Sequence, residues 1–486
     1  MSQTDRAAPS WLRQILTVEP EETRPLLWSW LYLFSVFFAY YVIRPIRDEV
    51  GVASGINNLP WLFMGTLLAM LAINPAFGAL VARLRRVTFI SLTYRFFMLN
   101  LLIFLVLFKT TTGETNIWVG RVFFVWTSVF NLFVVSVFWQ FMVDVFTSEQ
   151  GKRLFGFLAA AATVGGILGS GLTAGAVQTV GAPALLLVSI VLLEVGVFCV
   201  RRLSSMTGAK PAAASATGAP AAAAPVRDAN EVTIGGGVFA GLVRAVQSPY
   251  LLGICIYMLL YSSLSTFLYV QQAGIVDVTF ANRAARTAFF ARIDLLVNAL
   301  TLGAQLFLTS RVMKRLGVGP TLMLVPAATL IGFFTLGIMP ALAIVVAFIV
   351  VRRAGNFAFA RPSREVLFTV LSREDKYKAK SVIDTVVYRL GDQVGVWSSA
   401  FLTTAGLGLA GVAWAAVPLS AAWVATAWWL GQRHGVSQTS DVRSQRYEPE
   451  PAPPKRDERE PGPAPPKRDE REPEPAPPKR DEREGG

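Results

Sequence analysis

The sequence predicts an all-α membrane protein with about twelve transmembrane helices arranged in two six-helix halves. Three observations carry that prediction. Of 486 residues, 53% are apolar and only 16% are charged, whereas a soluble domain is about a quarter charged. Apolar runs of about twenty residues, each long enough to cross a bilayer, recur along most of the chain. The basic residues gather in alternate loops, as the positive-inside rule requires of a multi-pass protein.

The predicted spans of the first half are 26–46, 59–81, 87–108, 117–143, 154–177 and 182–200. Those of the second half are 251–271, 289–309, 318–339, 341–360, 381–405 and 411–431. The first run follows a polar segment, 1–23, of mixed charge and carries Trp28, Trp30 and Tyr32. That pattern predicts a retained span rather than a cleaved signal peptide. Arg83, Arg85 and Arg86, then Lys152 and Arg153, Arg201 and Arg202, Lys314 and Arg315, and Lys376, Lys378 and Lys380 all fall on one side. The loops at 47–58, 110–116, 178–181 and 406–410 carry few basic residues. Both termini and the central linker are therefore expected in the cytoplasm.

The domain plan follows: a cytoplasmic N-terminus at 1–23, a bundle at 24–202, a linker at 203–247, a second bundle at 248–432 and a tail at 433–486. The linker is dominated by Ala, Pro, Gly and Thr between Met206 and Val232 and cannot bury a core. Residues 235–247 are expected to form a short amphipathic surface helix. In the tail, Pro-Ala-Pro-Pro-Lys-Arg-Asp-Glu-Arg-Glu occurs at 451–460, 463–472 and 475–484. Proline keeps such a repeat extended, and its charges nearly cancel.

The halves echo each other. Phe146-Thr147-Ser148-Glu149-Gln150-Gly151-Lys152 enters the fifth span, and Phe368-Thr369 followed by Ser372, Glu374 and Lys376 enters the eleventh. Two six-span halves joined by a cytoplasmic linker describe the major facilitator type, a repeat architecture built for alternating access. The loop from Gly78 to Arg86 resembles that superfamily's loop between spans two and three, with Ala82 where aspartate is usual.

Several function classes are excluded. The net charge of +13 sits in loops and reads as topology, not as a nucleic-acid surface. One histidine, His434, and two scattered cysteines, Cys199 and Cys255, make no metal pattern. No P-loop is present, so ATP hydrolysis is not the energy source, and no cofactor is expected. Without a Ser–His or carboxylate–histidine constellation, the chain is not an enzyme. The remaining rival to a carrier is a non-transporting scaffold or receptor that uses its linker and tail to recruit a partner. Charges inside the spans argue against it, because a scaffold gains nothing from them.

Those charges are the chemical content of the sequence. Tyr40-Tyr41-Val42-Ile43-Arg44-Pro45-Ile46-Arg47-Asp48-Glu49 closes the first apolar run. A charge at bilayer depth costs roughly 2.5–3.5 kcal/mol on insertion scales and marks a solute or ion path. The alternative places Arg44 to Glu49 in the headgroups beyond the helix end. Further charges are Arg95, Glu194, Arg292, Asp294, Arg352, Arg353, Asp384, Arg389 and Asp392. Lys380 and Asp384 are four residues apart and Arg389 and Asp392 three, so each pair can share a helix face. Arg352 and Arg353 point about 100° apart, and one is expected to snorkel to the surface. Glu194 reads as a packing residue. Arg95 has no acid in its own helix and is assigned to the cavity. Arginines outnumber acids, which favours an anionic solute, since guanidinium grips carboxylates and phosphates with two prongs. The glycine- and alanine-rich fifth span, Gly156 to Gly171, predicts close helix packing.

Tyr41-Val42-Ile43-Arg44-Pro45-Ile46-Arg47-Asp48 resembles the bacterial and plastid-type ATP/ADP translocases, which exchange nucleotides. Ser136-Val137-Phe138-Trp139 with Phe146-Thr147, and Glu374 to Asp384 through Lys380-Ser381-Val382-Ile383, are similar to theirs as well. The resemblance spans about 20–430. It implies a bacterial-type inner-membrane carrier, with Arg47 and Lys380 matching basic residues tied to nucleotide transport. The family's exchangers carry an acid early in the fourth span and another in the seventh; here Thr127, Ser128 and Asn131, and Ser265 and Thr266, occupy those regions. The expected partners are a lipid bilayer and a small anion, either a nucleotide or another phosphorylated or carboxylated metabolite, with the carrier monomeric. Arg44, Arg47 and Arg95 from one half and Lys380 from the other are expected to hold that anion. Asp48, Asp384, Arg389 and Asp392 complete the candidate site.

Overall fold

The computed structural model describes residues 18–83, 86–206, 248–371, 380 and 382–446. The expected amphipathic helix at 235–247, nearly all of the linker, most of the N-terminal segment, Lys376 and Lys378, and the repeated tail lie outside the described residues. Met1–Gln438 forms one compact unit and Thr439–Gly486 a second, of which residues 439–446 are described and helical.

The first half comprises α1 (Pro20–Ala53), α2 (Leu59–Arg83), α3 (Arg86–Thr110), α4 (Gly113–Val145), α5 (Ser148–Val180) and α6 (Ala182–Met206). The second comprises α7 (Pro249–Thr279), α8 (Arg283–Phe307), the short basic α9 (Thr309–Leu316), α10 (Val318–Ile338) and α11 (Leu342–Gly355). After α11 a π-helical stretch, Asn356–Ala360, leads into α12 (Arg361–Leu367). A second π-helical stretch, Ile383–Val387, leads into α13 (Tyr388–Thr404), and α14 (Leu409–Arg446) follows.

Among the described residues, eleven helices are long and apolar enough to cross a membrane. The predicted span at 381–405 is the segment missing from that set. Its charges and its π-helical entry leave a regular helix of only 17 residues. With it the bundle has about twelve spans.

The charged end of the first apolar run lies inside a helix. Prediction ended the span at residue 46, but α1 continues to Ala53. Its 34 residues extend about 51 Å at 1.5 Å per residue, well beyond the roughly 30 Å hydrocarbon layer. Arg44, Arg47, Asp48 and Glu49 are therefore carried on regular helix, and the reading that left them beyond its end is corrected. Pro45 sits among them. Having no N–H, it leaves the Tyr41 carbonyl without its helical donor.

The outside of the molecule is apolar, and several charged groups lie buried within it. Leu68, Phe96, Leu99, Ile103, Val191, Leu306, Ile331 and Phe401 face outward, while Asp48, Glu49, Asp294, Arg352 and Asp392 are buried. That inversion suits a bundle whose solvent is lipid. One hydrophobic cluster is built mostly from α1–α6 and another from α7–α14.

α1 packs on α5 and α6, α13 on α7, and α5 lies against α8 across the two halves. Glycines set the closest approaches. A Cβ on Gly165 or Gly169 of α5 would stand 2.6 Å from the Phe34 and Phe38 carbonyl oxygens of α1. A Cβ on Gly391 or Gly395 of α13 would stand 2.8 and 2.5 Å from the Leu259 and Ser263 carbonyl oxygens of α7. In each half a pair of glycines four residues apart brings the fifth span against the first. The repeat visible at the entrances to the fifth and eleventh spans thus extends into their packing. Thr147 caps α5, its side chain accepting from the Gln150 amide while Gln150 reaches back to the Thr147 N–H; this reciprocal box fixes the helix start.

Candidate functional site: an arginine-lined cavity between the halves

A cavity of about 490 Å³ lies between the two halves, within the roughly 300–1,000 Å³ typical of small-molecule sites. α1, α4, α7, α8, α11 and α13 all contribute to its wall. Six arginines line it, Arg44, Arg47, Arg352, Arg353, Arg361 and Arg389, against three acids, Asp48, Asp294 and Asp392.

Each carboxylate is already engaged. Asp294 Oδ1 forms ion pairs with Arg44 Nη1 at 3.0 Å from one half and with Arg353 Nη2 at 2.8 Å from the other. The second oxygen, Oδ2, is buried and meets no hydrogen-bond donor among the described residues. Asp48 Oδ1 accepts from Arg47 Nη1 at 2.8 Å and from the Tyr269 hydroxyl of the opposite half at 3.3 Å. Asp392 Oδ1 accepts from Ser262 and Thr266 at 2.6 and 3.1 Å, and its Oδ2 accepts from Arg389 at 3.2 Å. These pairings offset the several kcal/mol that an unpaired ion costs in such an interior.

The surplus is therefore cationic. Arg44 and Arg353 share a single carboxylate, and among the described residues Arg352 and Arg361 have none. Arg352 is held by neutral groups: Nε donates to Thr329 Oγ1, Nη1 to Ser265 Oγ and Nη2 to the Tyr261 carbonyl, at 3.2, 2.6 and 3.0 Å. The guanidinium also lies over the Tyr261 ring, 5.3 Å from its centroid. Its position is fixed while its charge stays uncompensated. Arg47 is clamped similarly, 3.7 Å from the Phe124 ring centroid. Tyrosines 40, 41, 261, 269 and 388 add planar faces with polar tips to the lining.

Of the residues expected at the site, Arg44, Arg47, Asp48, Arg389 and Asp392 meet in this cavity. The expected Arg389–Asp392 pairing is present on one face of α13. Three placements differ. Arg95 does not face the cavity: it pairs with Glu194 of α6 at 3.0 Å, and both side chains are about half exposed on the outside of the bundle, 49% and 50%. A span apolar all round gives no face from which to read that direction, and the neutralising acid stood on another helix. Lys380 pairs with Glu365 rather than Asp384, and Asp384 lies 3.7 Å from Arg364. Neither Lys380 nor Asp384 belongs to the cavity lining; Asp384 sits in the π-helical stretch Ile383–Val387, where the four-residue spacing of an ordinary helix no longer holds. Finally, Arg352 and Arg353 both reach the cavity, so neither snorkels to a surface. A double variant, Arg95→Ala with Glu194→Ala, is accordingly expected to leave solute uptake unchanged in proteoliposomes.

Asp294, Arg352 and Arg353 were visible as charges in apolar runs, but only packing shows that they converge. Arg361 escaped notice because the tenth span runs to Val370, beyond its predicted end at 360. Thr127, Ser128, Asn131, Ser265 and Thr266 also line the cavity, so uncharged groups stand where the resemblance led one to look for acids.

Where α1 stops and α8 begins, side chains join the two halves. Glu49 takes both prongs of Arg283 at 2.7 and 3.0 Å, and Arg283 Nη1 donates to Asn116 at 2.7 Å. Trp61 of α2 meets Trp397 of α13 edge-on at 5.2 Å.

Solved transporters share this fold. A bacterial homologue of the iron transporter ferroportin, in its inward-facing state, matches with a TM-score of 0.60, over 85% of this chain and 98% of that one, at 11% identity. The nucleoside transporter NupG matches with a TM-score of 0.53 over 88% of this chain and all of that one (100%), at 11% identity. A bacterial homologue of the human lysosomal transporter Spinster, inward-facing and unoccupied, matches with a TM-score of 0.51 over 88% and 98% of the two chains, at 16% identity. The fold is thus the all-helical, major facilitator type of membrane protein. Among curated proteins, ADP,ATP carrier protein 2 of Chlamydia pneumoniae is 28% identical over 174 residues, covering 32% of this chain and 32% of that protein. The match therefore spans about a third of the length of that relative. No family model matches the chain.

Proposed function

We propose that the protein is a secondary transporter of an anionic, phosphorylated solute, working by alternating access between two six-helix bundles, 24–202 and 248–432. The single observation that carries this reading is the composition of the cavity, six arginines against three aspartates, drawn from both halves. Arg352, fixed by neutral groups and without a carboxylate partner among the described residues, supports fork-shaped recognition of a phosphate. The tyrosines offer a surface for a planar moiety. A nucleotide satisfies both, and the Chlamydia ADP,ATP carrier resemblance supports nucleotide exchange as the specific activity.

The basic loops support an orientation with both termini on the cytoplasmic face of a bacterial-type inner membrane. In that orientation the Glu49–Arg283 pair joins the halves on the outward side. Binding at Arg44 and Arg353 competes with Asp294, which ties the halves together, so the arriving anion loosens one contact between them as it makes its own. This provides the differential interaction that a ligand needs to shift a conformational equilibrium.

The test is uptake of labelled ATP into proteoliposomes, either preloaded with ADP or empty. Uptake that requires preloading is the expected result and identifies exchange. Uptake of other phosphorylated metabolites instead retains the anion carrier and discards the nucleotide. Absence of flux for every phosphorylated or carboxylated anion tried, with protein that remains folded, overturns the reading.

A further inference from the structure

A second, larger hollow lies outside the central cavity, between α2, α3 and α4, with a volume of about 1090 Å³. Its floor is set into the bundle by buried Leu62, Phe97, Val129 and Phe133. Its rim consists of large side chains exposed on the outside of the bundle, among them Trp61, Phe96 and Trp118. Along α4 the lining runs from Trp118 to Phe133, roughly 22 Å at 1.5 Å per residue. Polar groups are few: Asn58 and Arg121 stand at one end and Thr93 on α3, and Arg121 is the one charged residue in the lining.

Arg121 is the informative residue. No carboxylate pairs with it among the described residues, and its one hydrogen bond there is a long one, 3.4 Å from Nη2 to the Ser54 carbonyl. Its Nε is buried and has no acceptor. The guanidinium is held flat over Trp118, 4.4 Å from the ring centroid. Seated about 12 Å from the start of α4, it lies near one end of a 33-residue helix that is longer than the roughly 30 Å hydrocarbon layer is thick.

We infer that this crevice is a binding site for an anionic phospholipid, with acyl chain along the α2–α3–α4 groove and phosphate at Arg121. A long apolar slot with one uncompensated cation at its end is complementary to a molecule with a hydrocarbon body and a single anionic head. In a bilayer, hydrocarbon is what fills such a slot, and Arg121 selects which lipid supplies it. Its lining residues differ from those of the central cavity, although α2 and α4 contribute to both.

The test uses the full chain in nanodiscs containing phosphatidylglycerol or phosphatidylcholine, each with a photoactivatable acyl chain, with crosslinked peptides mapped by mass spectrometry. Crosslinks are expected to concentrate on Leu92, Phe96, Val122 and Val125. Phosphatidylglycerol should be favoured about fivefold, the size of one arginine contact with anionic lipid. Arg121→Gln should erase the preference and Arg121→Lys retain most of it, melting temperatures confirming that both variants are folded. Crosslinks spread evenly over every lipid-facing helix, or an unchanged lipid preference in Arg121→Gln, would overturn the assignment.

Discussion

Arg352→Gln is expected to weaken binding of a phosphorylated anion by roughly 10- to 100-fold, the worth of one hydrogen bond to a charged group. The reason lies in what surrounds the guanidinium. Thr329, Ser265 and the Tyr261 carbonyl orient it without neutralising it. Most buried arginines spend their charge on a carboxylate, as Arg389 does on Asp392. Arg389→Gln should therefore cost less affinity than Arg352→Gln. Titrating the solute against the melting temperature of each purified variant measures the difference without relying on flux. Equal, unchanged affinities would reduce Arg352 to a packing residue between α7, α10 and α11.

The second large effect is expected at Asp294. Asp294→Asn should tighten solute binding, about tenfold, while slowing turnover. The carboxylate now occupies the guanidinium groups of Arg44 and Arg353, so it competes with the solute for both. Removing its charge frees two donors and deletes a negative group from the cavity. The unliganded protein should also become less stable, since removing one partner of a buried ion pair costs about 3–5 kcal/mol. The diagnostic signature is a lower melting temperature without solute and a larger rise when solute is added. Weaker binding in Asp294→Asn would mean that the carboxylate positions the arginines rather than competing for them.

How much of this was legible in the sequence depends on which coordinate is asked for. Placement along the helix was partly readable: Arg389 and Asp392 interrupt an apolar run that becomes helix, whereas Arg44, Arg47 and Asp48 stood at the end of theirs, and only the continuation of α1 to Ala53 puts them on regular helix. Direction around the helix was not. Arg95 sits as deep in its run as the cavity arginines, yet points outward to Glu194, because an all-apolar span shows no preferred face. Length was partly legible. α1 outruns its hydrophobic stretch because Glu49 is buried by Arg283 from another helix, a partner more than two hundred residues away in sequence. The helix pairing of the halves was foreshadowed by the entrances to the fifth and eleventh spans, though the glycine contacts that enforce it required coordinates.

The two π-helical stretches, Asn356–Ala360 and Ile383–Val387, have a consequence for how this chain tolerates changes in length. Removing one residue from an ordinary α-helix turns everything beyond it by about 100°. A π-turn already holds the extra residue, its hydrogen bonds running from i to i+5. Losing one residue there restores the ordinary ladder and leaves the flanking faces aligned. Arg353 and Arg361 bracket the first stretch, and Arg389 follows the second. These are the points at which a single-residue deletion would move cavity arginines along the helix axis, by about 1.5 Å, without swinging them out of the cavity. Chains of this fold that differ by one residue in these two places can therefore differ in how far apart they hold their charges while presenting the same face to the solute.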